Sequence, residues 1–564
     1  MGTFKLSFKI IGQIFFVIIF FSTLQAKNLD KFDKADYVSD YFSGILLLND
    51  NQYKKSYKFL KKLNGLEKSH INYSIKYLYS LVNSGNLNDA FQYSRKLEKQ
   101  NLESFESNLI MGVFYLKNSN LNSARKYFLK AKKRNSRFVL NDYISNSLYN
   151  WSNLENLDLN SAKLELENLD ERFNNLKKIQ NVFLNCFFNN SNTDNLFNQL
   201  TSDKKTDFSR YNYFQASYIV SLGKIKEAKK KVQSAINLYP RNLLLNQYKI
   251  DLNEEKNIND FSCKNENHIV AEILFITANA LSSQLLHSPS NFYLNLAKYL
   301  NENFYSFDTL LAENFYKTGN HEKAKKIYTD LSKRGEAYKW YSTKQLARIF
   351  IQEKKKDKAI KLTSSAYKDL ANKDIYKTFD FAEFLKTNEK FKESILNYTL
   401  VINNIKKDHP LYPEAADGRG MAYERIGEWN KAEKDLLSSL KADPDQAYVI
   451  NYLAYSWIEQ GVKIEKSLNM LEKANKLRAD DPYIVDSLGW ALFKLKRYKE
   501  SKDYLQIAVK LMPADPIVND HYGDVLWKNG KEIQARYYWN YVLNLKKTEE
   551  DLKKKIEQKY INGL

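Results

Sequence analysis

The side chains able to do acid–base, nucleophilic or metal chemistry are few in this chain, and their spacing matches no site. Catalysis needs a nucleophile, an acid and a base converging on one place. The six histidines are His70, His268, His287, His321, His409 and His521. None is spaced as a metal-binding pair such as H-E-x-x-H, and neither Cys186 nor Cys263 stands at ligand spacing from them. His321 precedes Glu322 at a predicted helix start and reads as an exposed polar residue. His521, before Tyr522 and Gly523, reads as a packing or groove residue. No G-x-S-x-G elbow and no G-x-x-x-x-G-K-[ST] phosphate loop occurs. Gly418, Gly420 and Gly427 are not a phosphate loop either, because no strand precedes them. The expectation is a non-enzyme with no catalytic residues, no cofactor and no metal.

Composition narrows the class further. The 564 residues hold only 17 Gly and 8 Pro, too few turn formers for an all-β or a Pro/Gly-rich disordered chain. The formal charge is +21, but Lys is spread along the chain among Glu and Asp. That reads as a solvated basic surface rather than a nucleic-acid stripe. Residues 1–26 carry Lys5 and Lys9, an apolar run from Ile10 to Phe21, and Ala26 at a plausible cleavage point. They read as a signal peptide, the alternative being an uncleaved anchor in the inner membrane. The expected location is the periplasm or cell envelope, with membrane association only through that segment or a partner. Export also argues against nucleic acid as a partner. Cys186 lies in the apolar run VFLNCFF and reads as a buried free thiol. A disulfide to Cys263 is the alternative open to an exported chain.

What remains is to ask which elements the chain builds, and here it repeats itself. From Gly420, residues Tyr423, Ala432, Leu436 and Pro444 follow at fixed offsets. From Gly489, the same offsets give Leu492, Ser501, Leu505 and, at the end, Pro513. From Gly523 they give Leu526, Ala535 and Trp539. Upstream, Gly112 with Ala124 and Phe128, Ala312 with Ala324 and Tyr328, and Ala382 with Ser394 and Tyr398 fit the same spacing. A weaker copy surrounds Gly44, Ser56 and Leu60, and the pattern fades over 140–200. Small residues twelve apart fall on two successive helices and let their backbones approach. The large residue four further on is the buried stripe of the second helix. Proline then stops that helix. One such hairpin cannot bury both faces, so it must stack on the next.

These copies resemble tetratricopeptide repeats, the 34-residue helix–turn–helix family. The order NYLAYSWIEQG, VDSLGWALFKLKRYKES, VNDHYGDVLWKNG resembles bacterial exported or envelope-associated members. The resemblance implies an all-α, right-handed superhelical solenoid and a scaffold rather than a chemistry. It also implies a concave groove lined by the first helix of each pair. With helical geometry, it assigns to that groove Asn451, Tyr455, Ile458 and Glu459; then Asp486, Trp490, Phe493 and Lys494; then Asp520, Asp524, Trp527 and Lys528. Aromatic anchors with flanking charges suit a peptide or helix of a partner protein, whose identity the sequence does not give. Trp490 and Trp527 read equally as packing between repeats. The alternative function is an accessory subunit of an envelope enzyme or a glycan-export machine. A third reading places an enzyme site in the degenerate 140–200 segment.

The expected organisation follows. A signal or anchor at 1–26 precedes an N-terminal array at 27–250. A polar break at 251–267 leads to a C-terminal array at 268–545, and a capping helix or tail covers 546–564.

Overall fold

The computed structural model describes residues 35–134, 139–203, 205–256 and 260–564, so the expected signal at 1–26 lies outside the described residues. Among the described residues the chain is all-α, with thirty α-helices and no strand. It divides into two compact units, one ending at Leu362 and one running from Thr363 to Leu564.

The second unit is the more regular. Five hairpins follow one another: Ile375–Thr387 with Phe391–Asn403, Tyr412–Arg425 with Trp429–Ala442, Ala447–Glu459 with Ile464–Leu477, Pro482–Lys494 with Tyr498–Leu511, and Pro516–Lys528 with Glu532–Asn544. Each packs on the next, and the helix Glu550–Asn562 packs on the last, as a capping element should. The helix starts are written locally. Asp481 accepts hydrogen bonds from the backbone of Tyr483 (3.1 Å) and Ile484 (3.3 Å), with Pro482 in the first turn. Asp515 and Pro516 repeat the device one hairpin later. The small residues sit where the spacing requires them. A Cβ on Gly489 would lie 2.7 Å from Leu505 Cγ, and one on Gly420 would lie 3.0 Å from Leu436 Cγ. Ala382, Ala432, Ala454 and Ala535 are fully buried at equivalent points.

In the first unit the hairpins of the N-terminal stretch include Ile71–Asn83 with Leu87–Lys99 and Phe105–Lys117 with Leu121–Arg134. Where the repeat pattern fades, hairpins persist with shortened second helices, Leu159–Glu167 and Thr193–Thr201. The later hairpin Glu266–Ser283 with His287–Leu300 does not simply extend the row. It lies against the first helices of the early hairpins: Ile71–Asn83, Phe105–Lys117 and Val139–Ser152. Tyr79 stacks on Phe292 at 4.4 Å, and Asn83 donates to the Ser288 carbonyl at 3.2 Å. Asn291 donates to the Tyr53 hydroxyl at 2.8 Å.

The described residues of the polar run 251–267, the expected break between arrays, lie inside the first unit, which extends to Leu362. Phe261 is buried against Phe214 (4.3 Å) and Phe183 (5.5 Å), which anchors the run despite its polarity. Cys186 is not a free thiol: it is disulfide-bonded to Cys263, 77 residues on. The bond ties the end of helix Asn174–Phe187 to the segment before Glu266. Lys264 secures the same place by donating to the carbonyls of Cys186 and Phe187, both at 2.6 Å. A cation on the last carbonyls of a helix is favourable for its dipole.

A buried ion pair holds the middle of this unit. Arg210 grips Glu272 through two hydrogen bonds (2.8 and 2.9 Å) and Ser306 through a third (2.6 Å). Its guanidinium lies 4.1 Å from the Phe275 ring centroid.

Candidate functional site: the first-helix face of the second unit

Each hairpin of the second unit contributes its first helix to one face. Along that face the expected groove residues divide into three groups.

The first group is buried between repeats. Ile458 has no exposed surface, which corrects its expected place on the face. Trp490 is 7% exposed. Its ring stacks on His521 at 3.9 Å and on Phe493 at 4.7 Å, and its indole N–H donates to Glu459 at 2.7 Å. Asp486 is buried and pairs with His521 Nδ1 at 3.0 Å. Burial opposes a charge on His521, but Asp486, with Asp520 and Asp524 nearby, outweighs it and raises the imidazole above its ordinary range.

The second group is covered by the chain's own last helix. Lys559, on Glu550–Asn562, donates to both oxygens of Asp520 (2.8 and 2.9 Å) and both of Asp524 (2.9 and 2.8 Å). Burial, and the neighbouring Asp520, push the Asp524 carboxyl up to about 6 against the pull of Lys559. The Trp539 indole also donates to Asp524, at 3.0 Å. Trp527 is half-buried: Arg536 lies 4.7 Å from its centroid, and Gly563 packs so closely that a Cβ there would clash with the ring. Lys528 donates to the Leu564 carbonyl at 3.2 Å.

The third group stays at the surface. Asn451 and Tyr455 are half-buried, Phe493 is half-buried, and Glu459 and Lys494 are exposed. The Asn451 Oδ1 accepts no hydrogen bond from the protein. One residue at the same register escaped sequence reasoning. Applying the rule used at Gly489 and Gly523 to Gly420 gives Asp417, three residues earlier. Its Oδ1 is likewise buried without a protein donor, and burial pushes its carboxyl up to about 6. The signal was available, because the offset is the one that yields Asp486 and Asp520.

Among the described residues no group of three or more His, Cys, Asp or Glu side chains is arranged to hold a metal ion. The cation at the acidic end of the face is Lys559. In the degenerate segment the conspicuous buried polar group, Gln180, is consumed by Trp151 (2.9 Å), Tyr143 (3.2 Å) and Ser147 (3.0 Å).

Hairpins of constant length, stacked through small residues and closed by a polar-backed helix, define an all-α helical-repeat protein. The family model described as tetratricopeptide repeat matches residues 298–548. Residues 298–548 thus match the tetratricopeptide-repeat family, and the second unit is an all-α solenoid of such hairpins. A curated relative is the TPR repeat-containing protein PA4667 of Pseudomonas aeruginosa, 30% identical over 102 residues. That stretch is 18% of this chain and spans 17% of the relative's length. Similar solved structures include MamA from AMB-1 (20% identity, TM-score 0.27, covering 30% of this chain and 96% of that one). Another is residues 41 to the end of MamA from Desulfovibrio magneticus RS-1 (18%, 0.28, 32% and 99%). A third is pilF of Pseudomonas aeruginosa (17%, 0.28, 32% and 82%).

Proposed function

We propose that this chain is a non-enzymatic scaffold of the bacterial cell envelope that holds a peptide or helix of a partner protein. The partner lies on the first-helix face of the second unit, around Asp417, Asn451, Tyr455, Glu459, Phe493 and Lys494. The observation that carries this reading is a contrast between faces. In the first unit, the first helices Ile71–Asn83, Phe105–Lys117 and Val139–Ser152 are packed against the chain's own hairpin 266–300, and in the second unit one end of the face is closed by Lys559. The rest of the second unit's face carries side chains that combine half-buried aromatics, both signs of charge, and acceptors without protein donors among the described residues. An aromatic anchor flanked by polar groups is the composition of an interaction hot spot. The disulfide supports the envelope location, since such bonds persist outside a reducing cytosol. So does the signal-like segment at 1–26.

The test is cross-linking in intact cells, followed by affinity recovery and mass spectrometry, on the native chain and on an Asn451→Ala/Tyr455→Ala variant. A protein recovered with the first and lost with the second supports the reading. Identical recoveries from both overturn the assigned face. Fractionation of the same cells places the chain; recovery in the cytosol with free thiols overturns the envelope location.

A further inference from the structure

The first unit contains a cleft that the partner reading does not use. It has a volume of about 500 Å³ and lies where two helix starts meet. One is the start of Tyr53–Lys61, contributing Gln52, Lys54 and Lys55. The other is the start of His321–Leu331, contributing Asn320 and Lys323. Asp50 is the acidic residue in the lining.

At one of the two helix starts the charges are arranged against the usual preference; the other has Glu322 in its first turn. A helix start carries partial positive charge and favours acidic residues in its first turn. The helix Tyr53–Lys61 has no acid there and carries Lys54 and Lys55 instead. Neither Gln52 nor Asn320 caps its helix with a side-chain hydrogen bond. Lys323 is half-buried and clamped between two rings, 4.8 Å from the centroid of Tyr53 and 4.8 Å from that of Phe315. It donates to the Asn51 carbonyl at 3.2 Å, and no carboxylate among the described residues pairs with it. Among the described residues Lys54 and Lys55 likewise have no ion-pair partner, whereas many lysines of this unit, such as Lys62, Lys130 and Lys325, have one. Burial and the charge of Lys54 pull Lys323 down to about 8, so the fold tolerates this cation at a cost.

We infer that this cleft binds a phosphate-type oxyanion, held by Lys54, Lys55 and Lys323 with the side-chain amides of Gln52 and Asn320 beside them. Three ammonium groups and two helix starts approach from different directions, which suits a compact, multiply charged tetrahedral group. A carboxylate is better served by the planar fork of Arg, and no Arg lines the cleft. The anion would relieve the repulsion among the three lysines. It would also join the turn after Ala35–Asn49 to the turn after Ser306–Lys317, which now touch through Asn320 and the Asn51 carbonyl at 3.4 Å. The phosphate group belongs either to a free oxyanion or to an anionic phospholipid headgroup.

The experiment uses the whole chain in two arms. Calorimetric titration with inorganic phosphate and pyrophosphate probes the free anion. Flotation with phosphatidylglycerol-containing vesicles, against pure phosphatidylcholine vesicles, probes the headgroup. Binding in at least one arm is expected, weakened about tenfold by Lys323→Met and by Lys54→Gln/Lys55→Gln. The control Lys546→Gln/Lys547→Gln, elsewhere on the basic surface, should leave it unchanged. Should Lys323→Met fail to fold, the exposed Lys54/Lys55 pair decides. Absence of binding in both arms overturns the inference. So does binding that the control weakens equally, or citrate binding in preference to phosphate. This site and the proposed partner face stand or fall separately, because their residues and probes do not overlap.

Discussion

Ser501 Oγ donates a 2.7 Å hydrogen bond to the carbonyl of Gly489, twelve residues earlier on the facing helix. The same bond joins Ser56 to Gly44 (2.7 Å), Ser290 to Ala278 (2.7 Å) and Ser394 to Ala382 (2.9 Å). The spacing of twelve therefore does two jobs. It brings two small residues into contact, and where the second is serine it supplies a stitch between the helices. Four residues on, the large side chain covers the first small residue, as Leu505 covers Gly489.

Replacing Gly489 with Leu should destabilise the second unit by about 1–3 kcal/mol, because Leu505 and its backbone nitrogen stand in the way. Ser501→Ala should cost about 1 kcal/mol by losing the stitch alone. Chemical denaturation followed by circular dichroism reads both. An unchanged midpoint for Gly489→Leu would refute the register.

The Cys186–Cys263 bond should stabilise the first unit by about 2–4 kcal/mol. Melting with and without reductant, beside Cys263→Ser, measures it. Two titratable thiols in the unfolded, unreduced protein would contradict the bond.

Arg210 and Glu272 should behave as a buried pair. Arg210→Met alone should cost about 3–5 kcal/mol, because Glu272 is left charged and buried. Adding Glu272→Leu should recover much of that loss. Equal, additive losses in a double-mutant cycle would show that the two carry no coupling.

The second unit should lose stability as the pH rises through the acid range. Asp524 has a folded pKa of about 6, above its ordinary 3.8, so stability falls as pH climbs through that interval and the folded state gives up its proton late. His521 has a raised folded pKa, so its contribution is complete below about 6.5 and is lost as pH passes the folded value. The stability gap between the native chain and His521→Gln should therefore shrink from pH 6 towards alkaline pH. A gap that widens would reverse the assignment.

Trp490→Ala should lower stability by about 3 kcal/mol, since the indole is stacked between repeats. Tyr455→Ala, at a half-buried ring, should lower stability less than Trp490→Ala while reducing partner recovery more. The opposite pattern would exchange their roles.

The hairpins are written in local residue spacing. Contacts at twelve and sixteen residues are local, so residue size at Gly420, Ala432 and Leu436 suffices to encode them, and Asp481-Pro482 and Asp515-Pro516 mark the helix starts. The tertiary structure decided which faces remain open. Hairpin 266–300 covers first helices of an array more than 100 residues earlier. Cys186 finds Cys263 across 77 residues, and Lys559 closes on Asp520 and Asp524. Contacts between distant faces leave no periodic trace in a chain, because any of several apolar or charged faces satisfies the same spacing. Trp490 shows the limit: its position on the helix was legible, but whether it met a partner or His521 depended on the neighbouring repeat.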